Sequence, residues 1–215
     1  VAIQKHQNGM GIAGEQGVVS DTYYLVGNDG TLKAEGADES NYNIYYDEKE
    51  AQLTIHNLQI QEGDKWLLIP GGTTVNVLGT NQIGPREGTE YNGGIAAASD
   101  GDITVTGSGS LYIKSKAAAG LCRANLNNGV NGPSTVGGFT INGNVELTIE
   151  HTGAATCISA NQEDVVIGGS AKVTLNPRAG SSKNNGAITR FDGGSIRIQD
   201  SAQVTSTGGF DTTGT

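Results

Sequence analysis

Residues 95–115 read IAAASDGDITVTGSGSLYIKS, and the arrangement of their apolar residues recurs along the chain. The pair Ile103 and Val105 is followed eight residues later by the pair Leu111 and Ile113. Corresponding residues return in three later copies: Phe139, Ile141, Leu147 and Ile149; Val165, Ile167, Val173 and Leu175; and Ile196, Ile198, Val204 and Ser206. The chain therefore contains an internal repeat, which is typical of solenoids and other repeat architectures.

Each copy also has an anchor residue before its first apolar pair, and these anchors define the repeat length. The anchors are Leu67, Ile95, Leu121, Cys157 and Ile188. The interval from 95 to 121 is 26 residues, and the other intervals are 28, 36 and 31 residues. A base period of 26 residues with insertions accounts for all of them, and the longest interval predicts ten inserted residues between Leu121 and Phe139.

Within each copy the apolar residues alternate every second position, which is the period of a half-buried β-strand. A copy therefore predicts three short strands, and such a unit buries its inner face only by stacking on its neighbours. We predict an all-β chain folded as a right-handed parallel β-helix, which is a β-solenoid with three strands per rung. Like residues of neighbouring rungs should lie side by side, about 4.8 Å apart.

The N-terminal quarter of the chain lacks this period. Residues 1–60 predict an arm and a β-hairpin cap that lead into a first, irregular rung, with hairpins expected at 22–36 and 42–56. Residues 61–215 predict one continuous β-helix. We expect it to be truncated at its C-terminus, because the last rung has no cap to cover the open sheet edges.

The composition narrows the possible partners. The net charge is −9, so nucleic acid is not an expected partner. No run of about 18 apolar residues is present, which predicts no membrane span in this piece. The two cysteines, Cys122 and Cys157, fall in adjacent predicted columns, and we expect two free thiols rather than a disulfide.

The first strand of each copy is harder to orient than the other two. Arg123 and Arg190 share a predicted column, so we expect that column to point outward. The same parity then assigns Leu121 and Ile188 to the outer face. These four residues define an alternative binding face, which is either covered by another segment or open to a ligand.

The main candidate site is an acidic corner between the first and second strands. Its carboxylates align across copies, and a ten-residue insertion with an Asn-rich sequence lies at the same corner. The candidate residues are Asp100, Asp102, Asn127, Asn128, Glu163, Asp164 and Asp192. Oxygen ligands of this kind suit Ca²⁺, and they also suit sugar hydroxyls. The alternative is that Asp, Asn and Gly are the ordinary turn-forming residues of a solenoid corner.

Motifs for enzymatic catalysis are absent from the sequence. It contains no GxSxG, GxxxxGK[ST] or HExxH pattern. Parallel β-helices that cleave acidic polysaccharides combine carboxylate-bound Ca²⁺ with a basic residue, and Arg123 or Arg190 near Asp192 would imitate that arrangement. A polysaccharide lyase or hydrolase therefore stays open as an alternative function.

Several phrases of the sequence resemble a known kind of protein. The phrases are NYNIYYDEKEAQLTIHNLQI at 41–60, GGIAAASDGDITVTGSGSLYI at 93–113, GGFTINGNVELTI at 137–149 and VVIGGSAKVTL at 165–175. They resemble parallel β-helix repeat modules of cell-surface proteins from Gram-positive gut bacteria, which are carbohydrate-binding or adhesin-like. The resemblance implies a secreted or wall-attached location and a non-catalytic role in binding a polysaccharide, another glycan or a host surface protein. A structural stalk is the remaining alternative.

Overall fold

The computed structural model describes residues 10–12, 17–123, 135–178 and 186–208. Within those ranges the chain forms strands and no helix. The strands are β1 (Gly11–Ile12), β2 (Tyr23–Val26), β3 (Leu32–Lys33), β4 (Ile44–Asp47), β5 (Gln52–His56), β6 (Gln59–Ile60), β7 (Trp66–Ile69), β8 (Thr74–Leu78), β9 (Thr80–Ile83), β10 (Gly94–Ala97), β11 (Ile103–Gly107), β12 (Ser110–Ser115), β13 (Leu121–Arg123), β14 (Phe139–Ile141), β15 (Glu146–His151), β16 (Ile158–Asn161), β17 (Val165–Ile167), β18 (Lys172–Asn176), β19 (Ile188–Phe191), β20 (Ile196–Ile198) and β21 (Gln203–Ser206).

These strands form three sheets, and each sheet takes one strand from each copy of the repeat. The first sheet has the order β1-β7-β10-β13-β16-β19, and the third has the order β21-β18-β15-β12-β9-β6. The second sheet has nine strands, in the order β20-β17-β14-β11-β8-β5-β4-β2-β3. Strands of neighbouring copies pair in parallel in all three sheets. The prediction of an all-β chain with parallel sheets is confirmed, and the arrangement is consistent with a β-solenoid.

In the copies from Ile103 onward, the registers of the second and third sheets match the predicted columns. Phe139 lies opposite Ile103 on one side and Val165 on the other. In the third sheet Leu111 lies opposite Leu147. The inward apolar residues of the three sheets form one contiguous buried cluster up to the last copy, where Ile196 and Val204 are only partly buried and Ile198 is 47% exposed. The core therefore follows the alternation that the sequence shows.

One predicted column of the first sheet is wrong by a single residue. Leu121 lies opposite Ile158 rather than Cys157, and Ile158 lies opposite Ile188. The cause is the preceding corner, because Ile149 and Ile158 are nine positions apart whereas Ile113 and Leu121 are eight apart. Corner residues do not take part in strand pairing, so an extra one shifts the next strand without breaking the ladder.

The predicted orientation of the first strand is also wrong. Leu121 and Ile188 belong to the main buried cluster and point inward. Arg123 lies opposite Ala97 of that cluster and is only 1% exposed. The outer face of the first sheet is instead covered by a second buried cluster, which consists of Trp66, Ala96, Ala118, Ala119 and Cys122. The face predicted from the two arginines is therefore not an open surface at Leu121, Arg123 or Ile188.

The predicted N-terminal hairpins are present as antiparallel pairs. Leu25 of β2 lies opposite Lys33 of β3, and Ile44 of β4 lies opposite Ile55 of β5. Strand β2 also pairs antiparallel with β4, while β5 pairs in parallel with β8. The hairpins thus extend the second sheet, and β5 is the strand at which its pairing changes from antiparallel to parallel.

Two further expectations concern the cysteines and a membrane span. Cys122 and Cys157 are both buried and are not joined by a disulfide, which confirms the prediction of two thiols rather than a bridge. Over the described ranges, the chain has no helix of the length and apolar character that crossing a membrane requires.

Candidate functional site

The carboxylates of the predicted acidic corner hold neighbouring copies together. Asp100 accepts a hydrogen bond from the backbone N–H of Val136 at 2.8 Å, and Asp102 accepts one from Gly138 at 2.7 Å. Asp164 accepts from the backbone N–H of Ser195 at 2.7 Å. Each bond joins a corner to the corner of the next copy, so these carboxylates satisfy backbone N–H groups of the neighbouring corner.

The remaining acidic residues are spread along this corner. Glu163 and Asp192 are exposed, and Asp192 has a left-handed backbone with φ of 56°. Asn127 and Asn128 lie outside the described residues. Where side chains are described, no group of three or more His, Cys, Asp or Glu residues is arranged to hold a metal ion. A Ca²⁺ site at this corner stays a prediction that the described contacts do not support.

Arg123 is a buried side chain that links neighbouring segments at the same corner, rather than a surface residue. Its Nη2 donates to the carbonyl oxygens of Ser99, Gly101 and Val136 at 2.9, 2.8 and 2.9 Å. Its Nε donates to Thr135 Oγ1 at 3.1 Å. Burial lowers the pKa of Arg123, while the nearby aspartates act in the opposite direction. The guanidinium therefore replaces the hydration of corner carbonyls that face the interior.

A buried serine–histidine pair lies in the third sheet, where Ser115 is opposite His151. Ser115 Oγ is 2.8 Å from His151 Nδ1, and His151 Nε2 accepts the backbone N–H of Ala155 at 3.0 Å. A neutral ring whose Nε2 accepts carries its proton on Nδ1, so it donates that proton to the serine. In this tautomer the ring does not act as a base toward Ser115, and the pair links strands rather than activating a nucleophile.

The folded protein is expected to lose stability through His151 as the pH falls. Burial lowers the pKa of His151 to about 4, compared with about 6.5 in an unfolded chain. The stability that the neutral His151 contributes to the folded protein is complete above about pH 6.5. It is lost as the pH falls toward 4, because in that range the unfolded chain takes up a proton and the folded chain does not. The difference corresponds to about 3 kcal/mol. Urea unfolding at about pH 6.5 and at about pH 4 would measure the free energy of unfolding. His151→Gln should lose less of this free energy between the two pH values than the parent does, and equal losses would contradict the prediction.

A polar cluster on the third sheet forms hydrogen bonds that hold the segment 84–93 against the strands. Lys114 is fully buried, and its Nζ donates to the carbonyl oxygens of Arg86 at 3.0 Å and Gly88 at 2.5 Å. Glu150 lies 3.9 Å from the same ammonium and accepts the Tyr112 hydroxyl at 2.6 Å. Beside this cluster is an open cavity of about 420 Å³. Its lining residues are Thr89, Glu150, His151, Thr152, Asn176, Pro177 and Arg178.

The outer face of the second sheet carries a row of polar and aromatic side chains that crosses five strands. The registers bring these residues side by side, each directly opposite the next. We call this set the outer row: Tyr23, Tyr45, Thr54, Asn76 and Thr106. All five are half-buried, and their neighbours along β4 and β5 point into the core. The outer row therefore faces away from the protein interior.

A group of aromatic rings lies at one end of the outer row. The rings of Tyr23 and Tyr45 stack with their centroids 4.4 Å apart and an interplanar angle of 29°. Tyr42 meets Tyr23 edge-on at 5.1 Å, and the ring of His56 lies 5.2 Å from that of Tyr42. We call Tyr23, Tyr42 and Tyr45 the tyrosine cluster. Its rings are partly open to solvent, because all three residues are half-buried.

A shallow depression of about 380 Å³ lies at the other end of the outer row. Thr106 belongs to both features. The lining residues are Thr106, Thr140, Asn142, Gly143, Val166, Gly168, Gly169, Gln199 and Asp200. The surface thus runs from aromatic rings, across hydroxyl and amide groups, into a polar depression.

The sequence prediction missed this surface because it treated 22–36 and 42–56 only as hairpins. One signal was available, since Tyr45 alternates with the core residues Ile44 and Tyr46 and so belongs to an outer face. Comparisons with protein families, with curated proteins and with solved structures found no match to this chain.

Proposed function

We propose that this chain is a non-catalytic, glycan-binding module of an extracellular protein, and that the glycan lies along the outer row. The observation that carries this proposal is the unbroken register from the stacked Tyr23 and Tyr45 to Thr106. Aromatic rings offer flat apolar surface for the apolar faces of sugar rings. Hydroxyl and amide groups such as those of Thr54 and Asn76 donate and accept hydrogen bonds with sugar hydroxyls.

The dimensions of the outer row favour an extended ligand. Its five residues lie on five neighbouring strands, and strands are about 4.8 Å apart, so the row is roughly 19 Å long. The depression beyond Thr106 continues the surface across later copies. A polysaccharide chain that crosses the strands would therefore contact several copies at once, whereas a single sugar would contact only one or two strands.

The proposal includes the finer features of the fold. We propose a right-handed parallel β-helix with three strands per rung, whose N-terminal hairpins cap one end. Three parallel sheets with matching registers support it, as does the buried cluster shared by all three. The secreted or wall-attached location rests on the sequence resemblance alone. A host surface protein is the other partner that this resemblance supports.

The lyase alternative receives no support from Arg123 or from three of the corner carboxylates. It required a basic side chain beside an acidic corner, and Arg123 was one of the two candidates. That guanidinium is buried and bonded to three carbonyl oxygens, so it is not available to a substrate. The corner carboxylates Asp100, Asp102 and Asp164 likewise bond to backbone N–H groups.

Tyr45→Ala is expected to weaken glycan binding about tenfold or more, because it removes one of the two stacked rings. A glycan array would identify a ligand for the parent protein, and calorimetry with that ligand would measure both dissociation constants. Tyr45→Phe keeps the ring and serves as the matched control, which should bind within a few-fold of the parent. A parent that binds no glycan, or an alanine variant that binds as tightly as the parent, would contradict the proposal.

A further inference from the structure

Carboxylates surround the tyrosine cluster. The hydroxyl of Tyr45 donates to Asp21 Oδ1 at 3.2 Å. Asp47 follows Tyr45 by two residues on β4, so it lies on the same face of the sheet. Burial raises the pKa of Tyr45, and the hydrogen bond with Asp21 and the charges of Asp21 and Asp47 raise it further. Asp21 and Asp47 therefore place two negative charges on the side of the sheet that carries Tyr45.

A third carboxylate acts on the neighbouring ring. Burial raises the pKa of Tyr42, and the charge of Glu39 contributes in the same direction. The ion pairs found among described residues are Lys114–Glu150, Lys116–Glu90 and Arg197–Asp164. None of them involves Asp21, Glu39 or Asp47. Within the described part of the chain, the aromatic end of the outer row thus carries negative charge that no lysine or arginine neutralises by direct contact.

Partly exposed aromatic rings with carboxylates at their edges form a favourable environment for an organic ammonium group. The ring faces attract the cation through their quadrupole, and the carboxylates add a direct electrostatic attraction. The whole chain has a net charge of −9, which raises the local concentration of cations and repels anions. The same charges disfavour uronic-acid polymers at this end of the row.

We infer that the tyrosine cluster selects a glycan that carries protonated amino groups, such as a polymer of glucosamine. The inference rests on the proposed function, because it names the class of glycan that this surface prefers. Sugar rings pack against the solvent-exposed parts of Tyr23 and Tyr45, and their ammonium groups approach Asp21 and Asp47. Neutral glycans make the same stacking contacts without the electrostatic contribution, so they bind more weakly.

The test compares three soluble oligosaccharides of equal length at mildly acidic pH, by calorimetry. Oligomers of glucosamine carry ammonium groups, oligomers of N-acetylglucosamine are neutral, and oligomers of galacturonic acid are anionic. The glucosamine oligomer should bind about tenfold tighter than the neutral one, and the anionic oligomer should bind most weakly. Added salt should reduce the preference for the cationic oligomer, because it screens exposed charges.

A double variant isolates the two carboxylates. Asp21→Asn with Asp47→Asn keeps the hydrogen-bond acceptors for Tyr45 and for the backbone N–H of Glu50, and asparagine tolerates the left-handed backbone of Asp21. The variant should lose the preference for the cationic oligomer while still binding the neutral one. Glu146→Gln removes a charge from the exposed surface of the third sheet and should leave the preference unchanged.

The outcomes separate the inference from the proposed function. Equal affinity for the cationic and neutral oligomers would overturn the inference and leave glycan binding intact. A preference that persists in the double variant, or that Glu146→Gln removes equally, would overturn the role of Asp21 and Asp47. If neither these oligomers nor any glycan on an array binds the parent, both the inference and the proposed function fail.

Discussion

Val165→Asp is expected to unfold the protein or to lower its melting temperature severely. Val165 is fully buried in the second sheet, between Phe139 and Ile196. A carboxylate there has no partner, and burying an unpaired charge costs several kcal/mol. That cost is comparable with the whole stability of an ordinary domain, which is about 5–15 kcal/mol. Thermal unfolding followed by circular dichroism would measure the loss.

The adjacent residue provides a matched control. Val166 belongs to the same strand but is half-exposed and lines the depression on the outer face. Val166→Asp introduces the same charge into a hydrated environment, so its effect should stay within about 1 kcal/mol. If Val165→Asp melted within a degree or two of the parent, or if both variants lost equal stability, the assignment of inner and outer faces would be wrong.

The second large effect is expected for Arg123→Ala, which should cost about 3–5 kcal/mol. The substitution removes the guanidinium that serves the carbonyl oxygens of Ser99, Gly101 and Val136. Those buried acceptors then lose their partner, and a cavity opens beside the ring of Phe139, whose centroid lies 5.7 Å from the guanidinium carbon. Urea unfolding at neutral pH would give the change in free energy.

Arg197→Ala is the matched control for this prediction. The Arg197 side chain is 58% exposed and pairs with Asp164 across 2.6 Å at the surface. Exposed ion pairs of this kind contribute about 1 kcal/mol or less, so the variant should be nearly as stable as the parent. Similar losses of unfolding free energy in both variants would show that the buried hydrogen bonds of Arg123 do not stabilise the corner.

Alternation allowed the second and third strands of each copy to be predicted correctly. In β11 the apolar Ile103 and Val105 alternate with Thr104 and Thr106, because one face meets the core and the other is partly open to water. A one-residue shift of such a strand would expose its whole apolar set. The pattern therefore specifies the faces and the register together.

The first strand carries no such information. Ile95, Ala96 and Ala97 are all fully buried, because both faces of the first sheet are covered. Apolar residues then occupy successive positions, and alternation no longer distinguishes inside from outside. An arginine in a strand predicts the outer face, yet Arg123 points inward at a strand end where corner carbonyls supply acceptors.

The candidate surface was the least predictable part of the protein. Tyr23 and Tyr45 are 22 positions apart in the sequence, and they stack only because β2 and β4 pair antiparallel in one register. The acidic corner, in contrast, was visible as a pattern, but a pattern of carboxylates does not show whether each oxygen meets a metal, a sugar or a backbone N–H. The contacts of Asp100, Asp102 and Asp164 required the neighbouring copy to be in position.

The sequence by itself determined the all-β class, the repeat and the parallel pairing of its copies, because period-two alternation at a fixed spacing is a local property of the chain. Only the tertiary structure decided the orientation of the first strand, the burial of Arg123 and the formation of the outer row. Each of these depends on residues distant in sequence: a corner carbonyl that accepts a hydrogen bond, a segment that covers a sheet, or a strand that pairs in one register. Such partners come together only when the chain folds, and the solvation and packing that they impose have no local signature.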